Sequence, residues 1–344
     1  MEGGHLNKIL LTKFSAILLA LALPCGAYAA PGGGSNTTAQ ASQAQVTSVV
    51  AKTAATANIG MLSSRITTLV QTPAGGSGGG SGGGIGGGSG GGRGQSSGNG
   101  PEGIGVWALG GWNWLDSSKS GGKFDGSLST AMVGMDKQIG NLILGVAAGF
   151  EKLDLTTKYN GGNMLYDGWS ITPYVAYSIT KDLVADASFS YTWLDYTMKD
   201  TQAGVKYSDD MSAERRVVSA GLTQYMPLDK LLLSGRLGTL YLNEHQGSYN
   251  LNTTPYGNAG IYTWQGSFGL RGTYDLGSFK PFLGATYMQD FLKSGPSNDM
   301  WGTDIDLGFT YNVSNSFLMG LTGTYGFREN LTKVGGMLNA RYEF

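Results

Sequence analysis

Side chains that could do chemistry are few in this chain, and they are spaced like a polar lining rather than a catalytic centre. His5, His245 and Cys25 supply all of its imidazole and thiol. His245 follows Glu244, and a histidine steered by a carboxylate is one ingredient of general-base catalysis. No partner for that role can be assigned, so His245 reads as a polar residue near a strand end. Asp304 and Asp306 alternate along one segment, which puts two carboxylates on one face of a strand. They could assist scission of a chain passing them, but no Asn-Asn-like junction precedes Ile104, so self-cleavage is not expected. No catalytic, cofactor-binding or metal-ligating residue is assigned, no cofactor is expected, and the chain is read as not an enzyme.

The elements that must position these residues begin with the leader. Residues 1–29 have the three parts of a secretory signal peptide: Lys8 and Lys13, then the short apolar run 14–23, then Ala27-Tyr28-Ala29. Cleavage after Ala29 is expected. Cys25 follows Pro24, where lipidation would need Gly or Ala, so no lipid anchor is expected. The mature chain then carries no thiol, which excludes disulfides, cysteine catalysis and thiolate metal sites. Only 14% of residues are charged and the net charge is −1, which leaves no electrostatic footprint for nucleic acid.

Three regions follow. Residues 30–72 form a short segment whose part from 41 to 71 is expected to be helical. Ile59, Leu62, Ile66, Leu69 and Val70 recur there at helical spacing, while Lys52 and Arg65 are its only charges. Residues 73–103 are a Gly/Ser-rich linker without apolar residues enough for a core. From 104 to 344 apolar and polar residues alternate over segment after segment. Tyr262, Trp264, Phe268 and Leu270 face one way, and Gln265, Ser267, Gly269 and Arg271 the other. One such face suits lipid and the other a polar lumen.

Counting these segments predicts an all-β fold, a twelve-stranded antiparallel transmembrane β-barrel, with short turns at one rim and longer links at the other. The links are expected at 117–126, 156–165, 198–211, 246–259, 293–299 and 328–333. Both barrel ends then lie at the short-turn rim, the periplasmic one. Asp186, Arg236, Arg271, Asp304, Asp306, Arg341 and Glu343 are expected to line the lumen. Trp107, Trp112, Trp169, Trp193, Trp264 and Trp301 are expected in interfacial girdles.

The chain stops at a strand in which Leu338, Ala340, Tyr342 and Phe344 share a face. A terminal aromatic with apolar residues at every second position resembles the signal read by the barrel assembly machinery. Residues 104–344 also resemble the autotransporter β-domain of type V secretion. The likeness is carried by Val106-Trp107-Ala108, Gly110-Gly111-Trp112, Phe124-Asp125-Gly126, Gly134-Met135-Asp136, the run 144–150 and Ile171-Thr172-Pro173-Tyr174. That resemblance implies a monomeric barrel in the outer membrane of a Gram-negative bacterium, reached by Sec export. Its partners would be outer-membrane lipid, periplasmic chaperones and the assembly machinery. The expected function is a translocator with a minimal helical passenger. The alternative is a pore or structural barrel plugged by the 41–71 helix, without cargo.

Overall fold

The computed structural model describes residues 38–71, 104–202, 204–251, 254–256, 260–294 and 300–344. The expected signal segment 1–29, its cleavage residue Ala29, and the linker 73–103 lie outside them.

Twelve strands close an antiparallel barrel. In chain order they begin with β1 (Ile104–Ser117), β2 (Phe124–Ile139), β3 (Leu142–Thr157) and β4 (Gly162–Thr180). Next come β5 (Leu183–Gln202), β6 (Val205–Leu228) and β7 (Leu231–Gln246). A separate two-stranded ribbon of β8 (Tyr249–Leu251) and β9 (Thr254–Tyr256) interrupts the series. The barrel resumes with β10 (Gly260–Tyr274), β11 (Phe279–Lys293), β12 (Trp301–Asn312), β13 (Phe317–Arg328) and β14 (Leu331–Glu343). Neighbours in the wall are neighbours in sequence except at closure, where β14 pairs with β1 and sets Tyr342 opposite Val106.

Period-two alternation makes the wall two-faced. Along β1, Trp107, Leu109 and Leu115 are buried while Val106, Trp112 and Trp114 are exposed. The exposed set continues around the barrel with Val133, Ile171, Leu270, Leu283, Leu307 and Leu321. A continuous apolar exterior of this kind fits hydrocarbon, since water would not tolerate so large a patch.

Two expectations are corrected. The links at 156–165, 198–211 and 328–333 shrink to 158–161, 203–204 and 329–330, because the ladders run on past the apolar band. β5 and β6 stay paired from Leu183↔Gln224 to Gln202↔Val205, although β6 parts from β7 at Ala213↔Gln246. Their outward residues turn polar there (Ser208, Asp210, Ser212) while inward Met211 stays buried. The alternation therefore persists where the sequence looks like a loop. Trp107 is the second correction. It is no girdle residue: odd-numbered positions of this part of β1 face inward, and Trp107 is buried in the interior.

Among the described residues one α-helix, α1 (Thr38–Gln71), 34 residues long, runs through the barrel. Buried Val46, Val49, Val50 and Ala54 pack with residues of β1 to β6, among them Leu115, Leu128, Leu153, Met164, Leu194 and Met211. Farther along, Met61 and Leu62 pack with Trp107, Leu109, Met132 and Tyr174. Ala51 and Ala55 meet Val217, Leu240 and Leu242 of β6 and β7. Ile66 meets Ile143, Val184 and Tyr225, which adjoin the short turns. A helix touched by strands from all round the wall lies within the lumen. Val and Thr are mediocre helix formers and a free helix is marginal in water, so this packing is what stabilises α1. Its N-terminal half lies at the rim away from the barrel's ends, where the side chains of Gln43 and Tyr159 hydrogen-bond.

Candidate functional site

The inner wall and the helix meet through two ionic contacts, and these use both charges of the helix. Near its C-terminal end Arg65 grips Asp136 of β2 with two hydrogen bonds, Nε to Oδ2 at 2.8 Å and Nη2 to Oδ1 at 2.6 Å. Asp136 also accepts a hydrogen bond from the Tyr174 hydroxyl at 2.6 Å, and that hydroxyl accepts one from Trp107 Nε1 at 2.9 Å. All four side chains are buried. The forked guanidinium matches the carboxylate geometrically as an ammonium would not, and Tyr174 fixes the carboxylate's rotation.

Glycine makes room for this seat. Trp107 lies across its β2 partner Gly134, where an added Cβ would fall 2.4 Å from the indole ring. Tyr174 lies across its β3 partner Gly145, where a Cβ would fall 2.2 Å from the phenol ring. Flat aromatics over bare backbone can reach inward and sideways together, which side chains at those two positions would forbid.

The second contact is nearer the helix N-terminus. Lys52 Nζ donates to Asp290 Oδ2 of β11 at 2.6 Å, and Gln265 Nε2 donates to Oδ1 at 2.7 Å. Arg328 of β13 stands behind, its Nη1 3.5 Å from Oδ2. Lys52 and Arg65 are thirteen positions apart, about 20 Å of helix. The paired carboxylates thus mark depth along the barrel axis as well as azimuth.

The wall carries a further ionic group. Arg215 lies between Glu151 (Nη1, 2.6 Å) and Glu244 (Nε, 2.7 Å), with the Tyr196 hydroxyl donating to Glu244 at 2.9 Å. A buried arginine held by two carboxylates cross-links β3, β6 and β7 behind the helix. Breaking such a set by removing one partner costs far more than the set adds over apolar packing.

The seven residues expected to line the lumen are distributed as follows. Arg236 grips Asp186 with two bonds of 2.6 and 2.8 Å and also donates to Thr223. Asp304 accepts from Lys333 at 2.5 Å, and Asp306 accepts from Thr324 at 2.7 Å. Arg271 rests on the Phe282 ring, 4.1 Å from its centroid. Arg341 pairs with Glu343 at the end of β14. Arg236, Arg271, Asp304 and Asp306 border a cavity of about 260 Å³ whose other side is an uncharged face of α1, including Thr56, Ile59, Gly60, Met61 and Ser64. The helix is therefore eccentric: most apolar contact lies toward β1–β7, and the free space lies toward β10–β14.

Leu338, Tyr342 and Phe344 are exposed on the outer face, with Ala340 half-buried between them. Tyr342 and Phe344 pack edge to face at 4.9 Å. His245 is exposed on the outside of β7, while its neighbour Glu244 points inward to Arg215. Imidazole and carboxylate thus lie on opposite faces of one strand. Among the described residues no group of three or more His, Cys, Asp or Glu could hold a metal ion.

Sequence reasoning missed Lys52, Arg65, Asp136, Tyr174, Glu151, Arg215, Glu244 and Asp290 as lumenal contacts. A signal was present for some of them. Trp107, Gly134, Asp136 and Tyr174 all belong to the motif segments that carry the family likeness, and they converge in space on one helix residue.

Residues 106–336 match the family model described as the autotransporter β-domain. Among solved structures, the translocator domain of the autotransporter NalP from Neisseria meningitidis is similar at a TM-score of 0.68 and 14% identity, over 88% of this chain and 100% of that one. The β domain of the Bordetella autotransporter BrkA is similar at a TM-score of 0.62 and 15% identity, over 70% and 99%. The transport unit of the autotransporter AIDA-I from Escherichia coli follows at 0.54 and 14%, over 72% and 91%. A search of curated proteins found no match.

Proposed function

The chain belongs to the autotransporter β-domain family, and from that premise we propose that it is an outer-membrane translocator whose passenger is only its own helix and the short segment before it. The observation that carries this reading is the clamped helix. Both of its charges meet wall carboxylates, and its N-terminal half lies at the rim opposite Ile104 and Glu343. In a barrel whose ends face the periplasm, that rim is the cell surface. On this reading the segment before α1 is exported to the cell surface. The leader 1–29, cut after Ala29, supplies Sec export. The face of Leu338, Ala340, Tyr342 and Phe344 offers the assembly machinery a strand edge with alternate apolar side chains. Exposed aromatics and aliphatics solvate the barrel in lipid as a monomer.

Helix residence is tested by cross-linking. A Cβ at Gly122, in the link after β1, would lie 3.0 Å from Gln45 Cδ. With Cys25 removed alongside the leader, a Gln45→Cys, Gly122→Cys chain carries those two thiols alone. A short thiol-specific bifunctional reagent should join them in outer membranes in high yield. Yield no better than that of a pair placed on opposite walls would refute the seated helix.

A plug without cargo is the competing reading, and the packing of α1 against the wall is what recommends it. It predicts that the segment 30–37 is never displayed.

A further inference from the structure

Asp290 has two cationic neighbours, and one of them is badly served. Lys52 Nζ is bonded to Asp290 Oδ2 at 2.6 Å. Arg328 Nη1 stands 3.5 Å from the same oxygen and forms no hydrogen bond, while its Nη2 reaches only the Met288 thioether at 3.8 Å. The Arg328 side chain is 10% exposed and that of Asp290 is 0%. A buried guanidinium normally spends its fork on carboxylates or carbonyls, and one left with a sulfur contact is under-satisfied. It also has room to move. A void of about 20 Å³ is bordered by Lys52, Met288, Asp304 and Arg328. The neighbouring Gly302 leaves space that a Cβ would take, at 2.6 Å from Arg328 Cγ.

We propose that Arg328 is the stand-in counterion of Asp290, bonding it whenever Lys52 is not in place and yielding it when the helix is seated. The proposal rests on the lumenal helix and adds how the wall is kept sound without it. A fully buried carboxylate stripped of its cation is among the costliest defects a fold can hold. Asp290 lies in the wall while its best cation lies on the helix, so the wall needs a second cation for every moment before the helix arrives. Arg328 needs to travel under ~1 Å to reach hydrogen-bond distance. Lys52 therefore enters by displacement, exchanging one ion pair for another. Arg328 acts here as a positioning residue that makes Asp290 ready to receive an ammonium group.

A double-mutant cycle on the full chain tests this, read as the thermal midpoint at which the folded band is lost on gels. Lys52→Gln and Arg328→Gln should each lower the midpoint by less than about 3 °C, since the other cation remains. Together they should lower it by about 8 °C or more, well beyond the sum. Asp290→Asn added to that pair should restore the midpoint to within about 3 °C of the parent, because the stranded charge is gone. Additive single effects, or a pair whose defect persists with Asp290→Asn, would overturn the proposal. If the pair fails to fold, the triple variant decides: folding supports the exchange, and failure contradicts it. The cross-link between positions 45 and 122 is read in parallel. A linked chain with an additive cycle sinks this inference alone, and an unlinked parent sinks the helix reading beneath it.

Discussion

Asp136 is the residue on which the helix seat turns, because it joins the Arg65 fork to the Tyr174 and Trp107 hydrogen bonds. Asp136→Asn leaves a buried guanidinium without its counter-charge, a change that typically costs about 3–5 kcal/mol. It should lower the urea midpoint of the refolded protein and the 45–122 cross-link together. Tyr174→Phe removes one hydrogen bond to a charged group and should cost about 1.5–3 kcal/mol in the same titration. Gly145→Val is a different kind of change. The phenol ring and a valine cannot share that volume, so folded barrel should be lost in a membrane-assembly assay, and Tyr174→Ala in the same chain should recover part of it. Residue roles were only half legible beforehand. Alternation tells which face of a strand a side chain is on. It does not tell which residue of another strand, or of a helix threaded between, will meet it. Arg236 and Asp186 sit on different strands, fifty positions apart, and nothing local announces their pairing.

At the scale of elements, the strands were the legible part. Twelve segments with period-two alternation give the twelve wall strands, and the errors fall where outward residues turn polar above the apolar band, as at 205–212. Polarity there reads as a loop because the sign of a loop and the sign of a water-facing strand edge are the same. The helix was legible as a helix but not as to its surroundings. Its face toward the cavity is uncharged and mostly small, with Ile59 and Met61 at its edges, and Gly60 has open space where a side chain would begin. Gly60→Ala should therefore stabilise the chain by about 0.5–1 kcal/mol through helix propensity alone, seen as a small rise in thermal midpoint. Leu62→Ala, on the packed face, should lower stability by about 2–5 kcal/mol in that same melt. Equal effects at the two positions would mean the helix is not packed eccentrically.

At the scale of the whole molecule, the described residues make a wall and a helix across its lumen. Family membership accounts for the wall, and the clamps at Lys52 and Arg65 account for the helix staying where it is. A translocator so fitted would end its work occupied by its own passenger, with a few residues outside. The central claim is thus topological: the segment before α1 is at the cell surface while the helix remains in the pore. The most direct measurement places a short epitope within residues 31–36 of the full chain and scores antibody binding on intact cells, with a periplasmic marker confirming that the outer membrane is sealed. Strong labelling of intact cells, unchanged on permeabilisation, is the predicted result. Labelling that appears only after the outer membrane is opened would contradict it.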